Sequence, residues 1–529
     1  MKRSILSGIM IMLAAILVAF LTSRFVEAKE LRWAYMGDAM SMDPYAYRES
    51  FTIAYLQHIY EPLVRYNRDL KKEPCLATSW KVVEPKVWRF NLRRGVKFHN
   101  GNPFNADDVV ASIKRATHPN SPFKGHLPAV EDVRKVDDYT VDILLKEPYP
   151  LLLNELTYVG MMDKEWLAEH NCLTPANPSK GEQSYASTNT NGTGPFMLES
   201  RQPDAKTILV ANPKWWDKPQ HNLTKMIFTP IKSDATRVAA LLSGEIDFIF
   251  PVPLQDIDRI NRSTNFKVMQ GYDVRTMILM FNQSPNELHQ SNVKGKNPLR
   301  DLRVRKALYQ AVDMDTIQKR IMRGRSRIAG QFSAPEIPGY DPTLNERLPY
   351  DPAASKRLLA EAGYPDGFEV GLDCPNDRYI NDEEICQAVT SMWAKVGVKA
   401  RFSAQTKTIH FKKIETGQCD IWMLGYATLP LFDSYGWLSQ VLFSPRKNRG
   451  NWNPGGYVNP QLEELVDKIA VELDEPKRLK MISEAFRLAK DDVPLIPLHQ
   501  QPLCWAVRNG VNVILGADEL PRLWYATVQ

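Results

Sequence analysis

The sequence predicts a mixed α/β protein with more than one sheet, and three observations carry the prediction. The first is size and composition: 529 residues, 44% hydrophobic and 24% charged, are ordinary globular values, enough for about three domains or two large lobes. The second is a set of helices opened by clear start signals. The third is a set of short apolar runs placed beside those helices, as buried strands of parallel type require. The charge balance, 67 Lys+Arg against 61 Asp+Glu, gives nucleic acid little to hold.

In chain order, Lys2 and Arg3 precede an apolar stretch over residues 9–21, followed by Val26-Glu27-Ala28. This reads as a cleaved signal peptide over residues 1–28, since the run is short of the roughly 20 residues a spanning helix needs. No cysteine lies near the cleavage point, so lipid attachment there is not expected, and the mature protein is expected in an exported compartment. Trp88, Phe90 and Leu92 alternate with polar residues as a half-buried strand does. Asn105 caps a helix carrying Val109, Ile113 and Ala116. Residues 174–194, rich in Pro, Ser, Asn, Thr and Gly, read as a long polar surface loop and a domain junction.

Further along, residues 277–281 form a continuous apolar strand, and Asp301 caps a helix carrying Val304, Leu308, Ala311 and Val312. Asp351 with Pro352 opens a helix over residues 353–362 that Gly363 closes, and Asn459 with Pro460 repeats the device before Leu462, Val466 and Ile469. Residues 368–372, 398–402 and 421–424 are the parallel-type strands. Six cysteines, at 75, 172, 374, 386, 419 and 504, are too few for a disulfide scaffold. Cys374 and Cys386, bracketing one loop after a strand, are the favoured pair, with buried free thiols as the alternative.

Catalytic signatures are absent: there is no GxSxG, HExxH, Walker loop or GxGxxG, and the nine histidines are scattered singly. Neither a catalytic set, a metal site nor a cofactor is expected. The pairs Asp107-Asp108, Asp137-Asp138 and Asp491-Asp492 read as helix-start or turn residues, because neighbours on a helix do not share a face. Trp422, Tyr426, Phe432, Tyr435 and Trp437 crowd a segment containing Pro430 and Gly436, which cannot be regular throughout. It is either a loop packed on a core or the wall of an apolar ligand cleft.

Taken together, these residues resemble the extracellular solute-binding protein family 5, the peptide-type receptors of ABC importers. Ser41-Met42-Asp43-Pro44, Tyr60-Glu61-Pro62-Leu63, Leu76-Ala77-Thr78-Ser79-Trp80, Gly192-Thr193-Gly194-Pro195-Phe196 and Arg303-Val304-Arg305-Lys306-Ala307-Leu308 match its blocks in family order. The resemblance implies a two-lobed periplasmic-binding-protein fold of the large, peptide-binding type II subclass, with an extra subdomain in lobe one. Mapped here, lobe one is 29–272 plus 498–529, with the subdomain near 61–186, and lobe two is 273–497. The hinge falls near 271–275 and 498–501.

The same resemblance implies a monomer that captures a peptide or peptide-like solute and hands it to membrane permease subunits. Sugars, opines and metal chelates are alternatives, and a secreted hydrolase or a chaperone-like binder are readings from other classes. Asp373-Cys374-Pro375-Asn376-Asp377-Arg378-Tyr379 is similar to the dipeptide-binding segment that holds the ligand carboxylate, so Arg378 and Tyr379 are candidate ligand residues. Peptide binders carry W-x-x-D in the aromatic segment to pair the ligand ammonium, whereas this chain has Tyr426-Ala427-Thr428-Leu429. Tyr426 and Asp433 complete the candidate set. Either Asp433 substitutes for the missing acid or the ligand is not an ordinary short peptide.

Overall fold

The computed structural model describes residues 29–529 except Pro430 and Lys447, so the expected signal peptide lies outside the described residues. Among the described residues no helix is long and apolar enough to cross a membrane.

Eleven strands form the main sheet: β1 (Glu30–Tyr35), β2 (Phe196–Gln202), β3 (Lys206–Ala211), β4 (Lys225–Pro230), β5 (Phe248–Ile249), β6 (Phe266–Phe281), β7 (Arg327–Ile328), β8 (Glu369–Pro375), β9 (Lys399–Gln405), β10 (Ile421–Tyr426) and β11 (Leu495–Arg508). Their order is β9-β8-β10-β6-β11-β5-β1-β4-β3-β2, with β7 added against β11. As expected, β8 runs parallel to β9 and β10. Strand β1 is likewise parallel to β4 and β5. Burial on both faces explains the continuous apolar runs: along β6, Met277, Leu279 and Phe281 enter one core while Ile278 and Met280 enter the opposite one. Each such side chain contributes about 1.5–3 kcal/mol.

The expected strand over 277–281 is only the last third of β6. Its earlier part carries Lys267, Gln270, Asp273 and Arg275, which interrupt the apolar run although the strand continues. Strands β6 and β11, 16 and 14 residues long, pair with one another and join the two halves of the sheet into one hydrogen-bonded array. Their pairing is broken twice. Tyr272 faces Pro502 and Thr276 faces Gln500, so Asp273, Val274 and Arg275 oppose Gln501 alone; a second shift falls between Met277 and Ile278. Such bulges bend a strand pair, and this one lies in the stretch where the resemblance puts the hinge.

The helix starts follow their caps. Asn105 and Asp108 form a reciprocal capping box on Ala106–Thr117. The carboxylates of Asp301 and Asp351 accept the N–H groups of Arg303 at 2.9 Å and Ala354 at 2.8 Å, opening Leu302–Gln310 and Pro352–Glu361. Asn459 accepts from Gln461 and Leu462, both at 3.0 Å, before Pro460–Val471. Each cap contributes about 1 kcal/mol. The pair Asp491-Asp492 departs from expectation: it closes the helix Glu475–Asp492, where Asp492 accepts from the Tyr457 hydroxyl and the Asn459 amide.

Between residues 61 and 186 the chain builds a separate four-stranded antiparallel sheet, Ala77–Glu84, Val87–Leu92, Thr140–Leu145 and Val130–Asp137 in that spatial order. Trp88, Phe90 and Leu92 are its buried face. The polar loop over 174–194 is at the surface for most of its length, but Asn191, Gly192, Thr193 and Gly194 are buried. A Cβ at Gly192 would lie 2.0 Å from the Ile59 carbonyl oxygen, so the backbone itself is the packing surface.

Candidate functional site

Strands β8 and β10 run parallel in one half of the sheet and β1 runs opposite to them in the other, so the carboxyl ends of all three point toward the middle of the sheet, where β6 and β11 pair. Open α/β sheets place ligands at such carboxyl ends. Tyr35 closes β1, Arg378 and Tyr379 follow β8, and Tyr426 closes β10.

The Arg378 loop is fixed by its backbone. The Asp382 carboxylate accepts the N–H groups of Arg378 and Tyr379 at 3.1 and 2.9 Å, and Gln501 of β11 accepts that of Ile380 at 2.9 Å. The Cys374–Cys386 bond, with Cα atoms 6.6 Å apart, ties the end of β8 to the helix Asp382–Ala394. Cys75, Cys172, Cys419 and Cys504 are buried free thiols. On this rigid base the Arg378 side chain is exposed, its guanidinium 5.1 Å from the Tyr379 ring centre. Among the described residues no carboxylate comes within ion-pair distance of it.

Tyr379 is buried and its hydroxyl points to the Gly425 carbonyl at 3.4 Å. Gly425 is obligatory here: a Cβ would lie 2.7 Å from the Tyr379 ring and 3.0 Å from the Arg275 side chain. Arg275 pairs with Asp273 at 3.3 Å, both on the irregular stretch of β6. Burial, reinforced by the charge of Glu519, pushes the Asp273 carboxyl up to about 7. Tyr35, packed 4.3 Å from Phe51 and 4.8 Å from Phe250, is raised to about 12, first by burial and then by Glu519 and Glu49, with Arg378 acting the other way.

The aromatic segment is mostly core. Trp422 and Trp437 are 1% and 0% exposed, and Phe432 packs on Tyr66 at 5.4 Å while Leu431 accepts a hydrogen bond from the Asn154 amide at 2.6 Å. Only Tyr426 is half-exposed, its ring edge-on to Trp437 at 4.9 Å and its hydroxyl donating to the Gly436 carbonyl at 3.2 Å. Of the two readings of this segment, the packed loop accounts for every ring but that one.

Asp433 departs most from its expected role. It is 1% exposed, and the Arg478 guanidinium donates to both of its oxygens, at 2.9 and 2.5 Å. A third hydrogen bond comes from the Tyr435 N–H at 2.9 Å. Its charge is already neutralised, so it is a poor substitute for the acid missing at Leu429. Leu429 itself packs against the apolar core of the first half.

Two other features lie away from this region. Asp108, Asp163 and Glu165 come together, but Asp163 already accepts the amides of Asn100, Asn102 and Asn191 and the Trp166 N–H. A small pocket lined by Glu61, Tyr66, Trp215 and Trp524 sits within the first half. Glu61 there accepts from both Trp215 and Trp216 indole N–H groups and from the Thr193 hydroxyl, and is a structural node.

The two halves of the sheet, joined through β6 and β11, have the architecture of a two-lobed binding protein. The sequence matches the family described as "Bacterial extracellular solute-binding proteins, family 5 Middle" over residues 71–448, and the chain belongs to that family. Such proteins are periplasmic, non-enzymatic binding components that work with ABC permeases. Heme-binding protein A of Haemophilus influenzae is 26% identical over 87% of this chain and 86% of its own length. The dipeptide-binding protein of Escherichia coli is 27% identical over 97% of each. The solved structure of HbpA2 from Haemophilus parasuis superposes with a TM-score of 0.81 at 23% identity, covering 94% of this chain and all of that one.

Proposed function

We propose that the chain is the receptor of an ABC peptide importer, closing two lobes over a short peptide whose carboxylate is held by Arg378. The observation that carries this reading is an exposed guanidinium with no acidic partner among the described residues, on a loop made rigid by Asp382, Gln501 and the Cys374–Cys386 bond. A planar fork makes two parallel charge-assisted hydrogen bonds to a carboxylate, and solvent exclusion on closure strengthens them. Tyr379 and Tyr426 would form the floor and one wall. Lobe one is assigned to 29–272 and 498–529 with its subdomain near 61–186, lobe two to 273–497, and the irregular β6–β11 pairing around 273–275 to the hinge. The mature protein, cleaved after Ala28, is assigned to the periplasm as a monomer.

The test is thermal denaturation of the mature protein with di- to pentapeptides carrying free or amidated C-termini. A ligand at 100 times its Kd adds about 2.7 kcal/mol, seen as a rise of a few degrees. Free-carboxylate peptides should stabilise and amidated ones should not, and a stabilising peptide should shrink the radius of gyration in small-angle scattering. Equal stabilisation by both, or unchanged scattering, counts against the reading. Leu429 in place of an acid favours one alternative, a carboxylate ligand without an amine; stabilisation by non-peptide carboxylates alone would select it.

A further inference from the structure

The missing acid at Leu429 raises the question of what else near Arg378 could meet a positive charge. Glu519 is half-exposed and, among the described residues, takes part in no ion pair and accepts no hydrogen bond through its side chain. Its backbone sits at φ +63°, a left-handed conformation that glutamate rarely adopts. The loop around it is over-determined. Val274 of β6 donates to the Ala517 carbonyl at 3.1 Å, Glu519 donates its N–H to Gly516 at 3.0 Å, and the neighbouring Asp518 forms a buried bidentate pair with Arg522 at 3.0 and 2.7 Å. Strain held in place by surrounding structure is characteristic of binding sites.

Position adds a second argument. The Val274 contact lays the loop against the irregular stretch of β6 that carries Asp273 and Arg275, and Arg275 and Tyr379 lie together over Gly425. Glu519 follows Ala517 by two residues and Arg378 directly precedes Tyr379, so both loops meet this stretch, yet the two side chains form no ion pair with each other. Among the described residues, an unpaired acid and an unpaired base therefore sit on the two loops that meet the 273–275 stretch of β6. We infer that Glu519 receives the cationic end of a zwitterionic ligand whose carboxylate is held by Arg378. This rests on the carboxylate reading above and moves the counter-charge from the aromatic segment of lobe two to the C-terminal return of lobe one.

The experiment compares alanyl-phenylalanine with its N-acetyl form, both bearing a free carboxylate, on wild type and on Glu519→Gln by calorimetric titration. Wild type should prefer the free amine by about tenfold or more, one charge-assisted hydrogen bond's worth of discrimination. Glu519→Gln should abolish that preference while leaving the acetylated form unchanged. Glu519→Gly, which suits the left-handed backbone, should raise Tm and also lose the preference, a combination that a purely structural residue would not produce. Equal affinity for the two peptides in wild type, or an unaltered preference in Glu519→Gln, overturns the inference. The carboxylate reading fails separately, if Arg378→Ala binds the acetylated peptide as well as wild type does.

Discussion

Residues 373–379 and 426–437 each offered one charged residue for a ligand, and the structure treats them in opposite ways. In residues 373–379 the backbone is tied down and the charge is left over: Arg378 is exposed and, among the described residues, has no acidic partner. In residues 426–437 the charge is consumed and the segment reaches the core of the first half: Asp433 is buried against Arg478 while Phe432 packs on Tyr66. The difference teaches that in a binding cleft the informative charge is the one the fold has rigidly mounted but not used. A fully paired charge is part of the scaffold, whatever its place in an alignment.

The largest effect should come from breaking the used charge. Asp433→Ala leaves Arg478, 3% exposed, without its partner and should cost about 3–5 kcal/mol of stability in chemical denaturation, with Asp433→Leu/Arg478→Met recovering most of it. If Asp433→Ala instead leaves stability unchanged and weakens peptides, the contrast between the segments collapses. Breaking the unused charge should do the reverse. Arg378→Ala should weaken free-carboxylate peptides by about 2–5 kcal/mol and change stability by less than about 0.5 kcal/mol. A loss of affinity below roughly 0.5 kcal/mol would return Arg378 to the solvated surface.

The mounting itself is testable. Reduction of Cys374–Cys386, which closes a loop of sequence separation 12, should cost about 3 kcal/mol and loosen the Arg378 loop, so that peptide affinity falls together with Tm. Unchanged affinity in the reduced protein would mean that Asp382 and Gln501 suffice. The smallest effect is acidification by a single pH unit below 6.5. His58 Nδ1 donates to the Tyr55 carbonyl while Nε2 accepts the Leu523 N–H, and burial pushes its pKa down to about 4. The folded value lies below the unfolded one near 6.5, so the unfolded chain binds the proton first. Stability from this residue is present above pH 6.5 and falls by about 1.4 kcal/mol per pH unit between 6.5 and 4. Denaturation midpoints measured across that window should decline, and a His58→Gln variant should decline less.

The fold was largely legible because capping and burial leave local signatures. Asn105, Asp301, Asp351 and Asn459 cap the helices they were expected to cap, and the strands buried on both faces were visible as unbroken apolar runs. The family blocks proved to be folding devices: Asp43 pairs with the buried Arg115, Glu61 holds two tryptophans, and Gly192 and Gly194 permit contact with Ile59. The length of β6 was hidden because its polar residues, Asp273 and Arg275 among them, resemble a strand end. The site was less legible. Whether a carboxylate is consumed depends on Arg478, 45 residues away from Asp433 in sequence. Glu519 left no signal, since a single acid in a C-terminal loop has neither spacing nor periodicity; its unusual backbone angle is visible only in the fold.

The most direct test is a cycle that crosses Arg378→Ala with amidation of the best free-carboxylate peptide from the thermal series. If the guanidinium holds the carboxylate, each change alone should weaken binding by a similar amount, and the second should add almost nothing to the first. If the two losses add, Arg378 and the carboxylate do not meet, and the anchor must be sought elsewhere in the cleft.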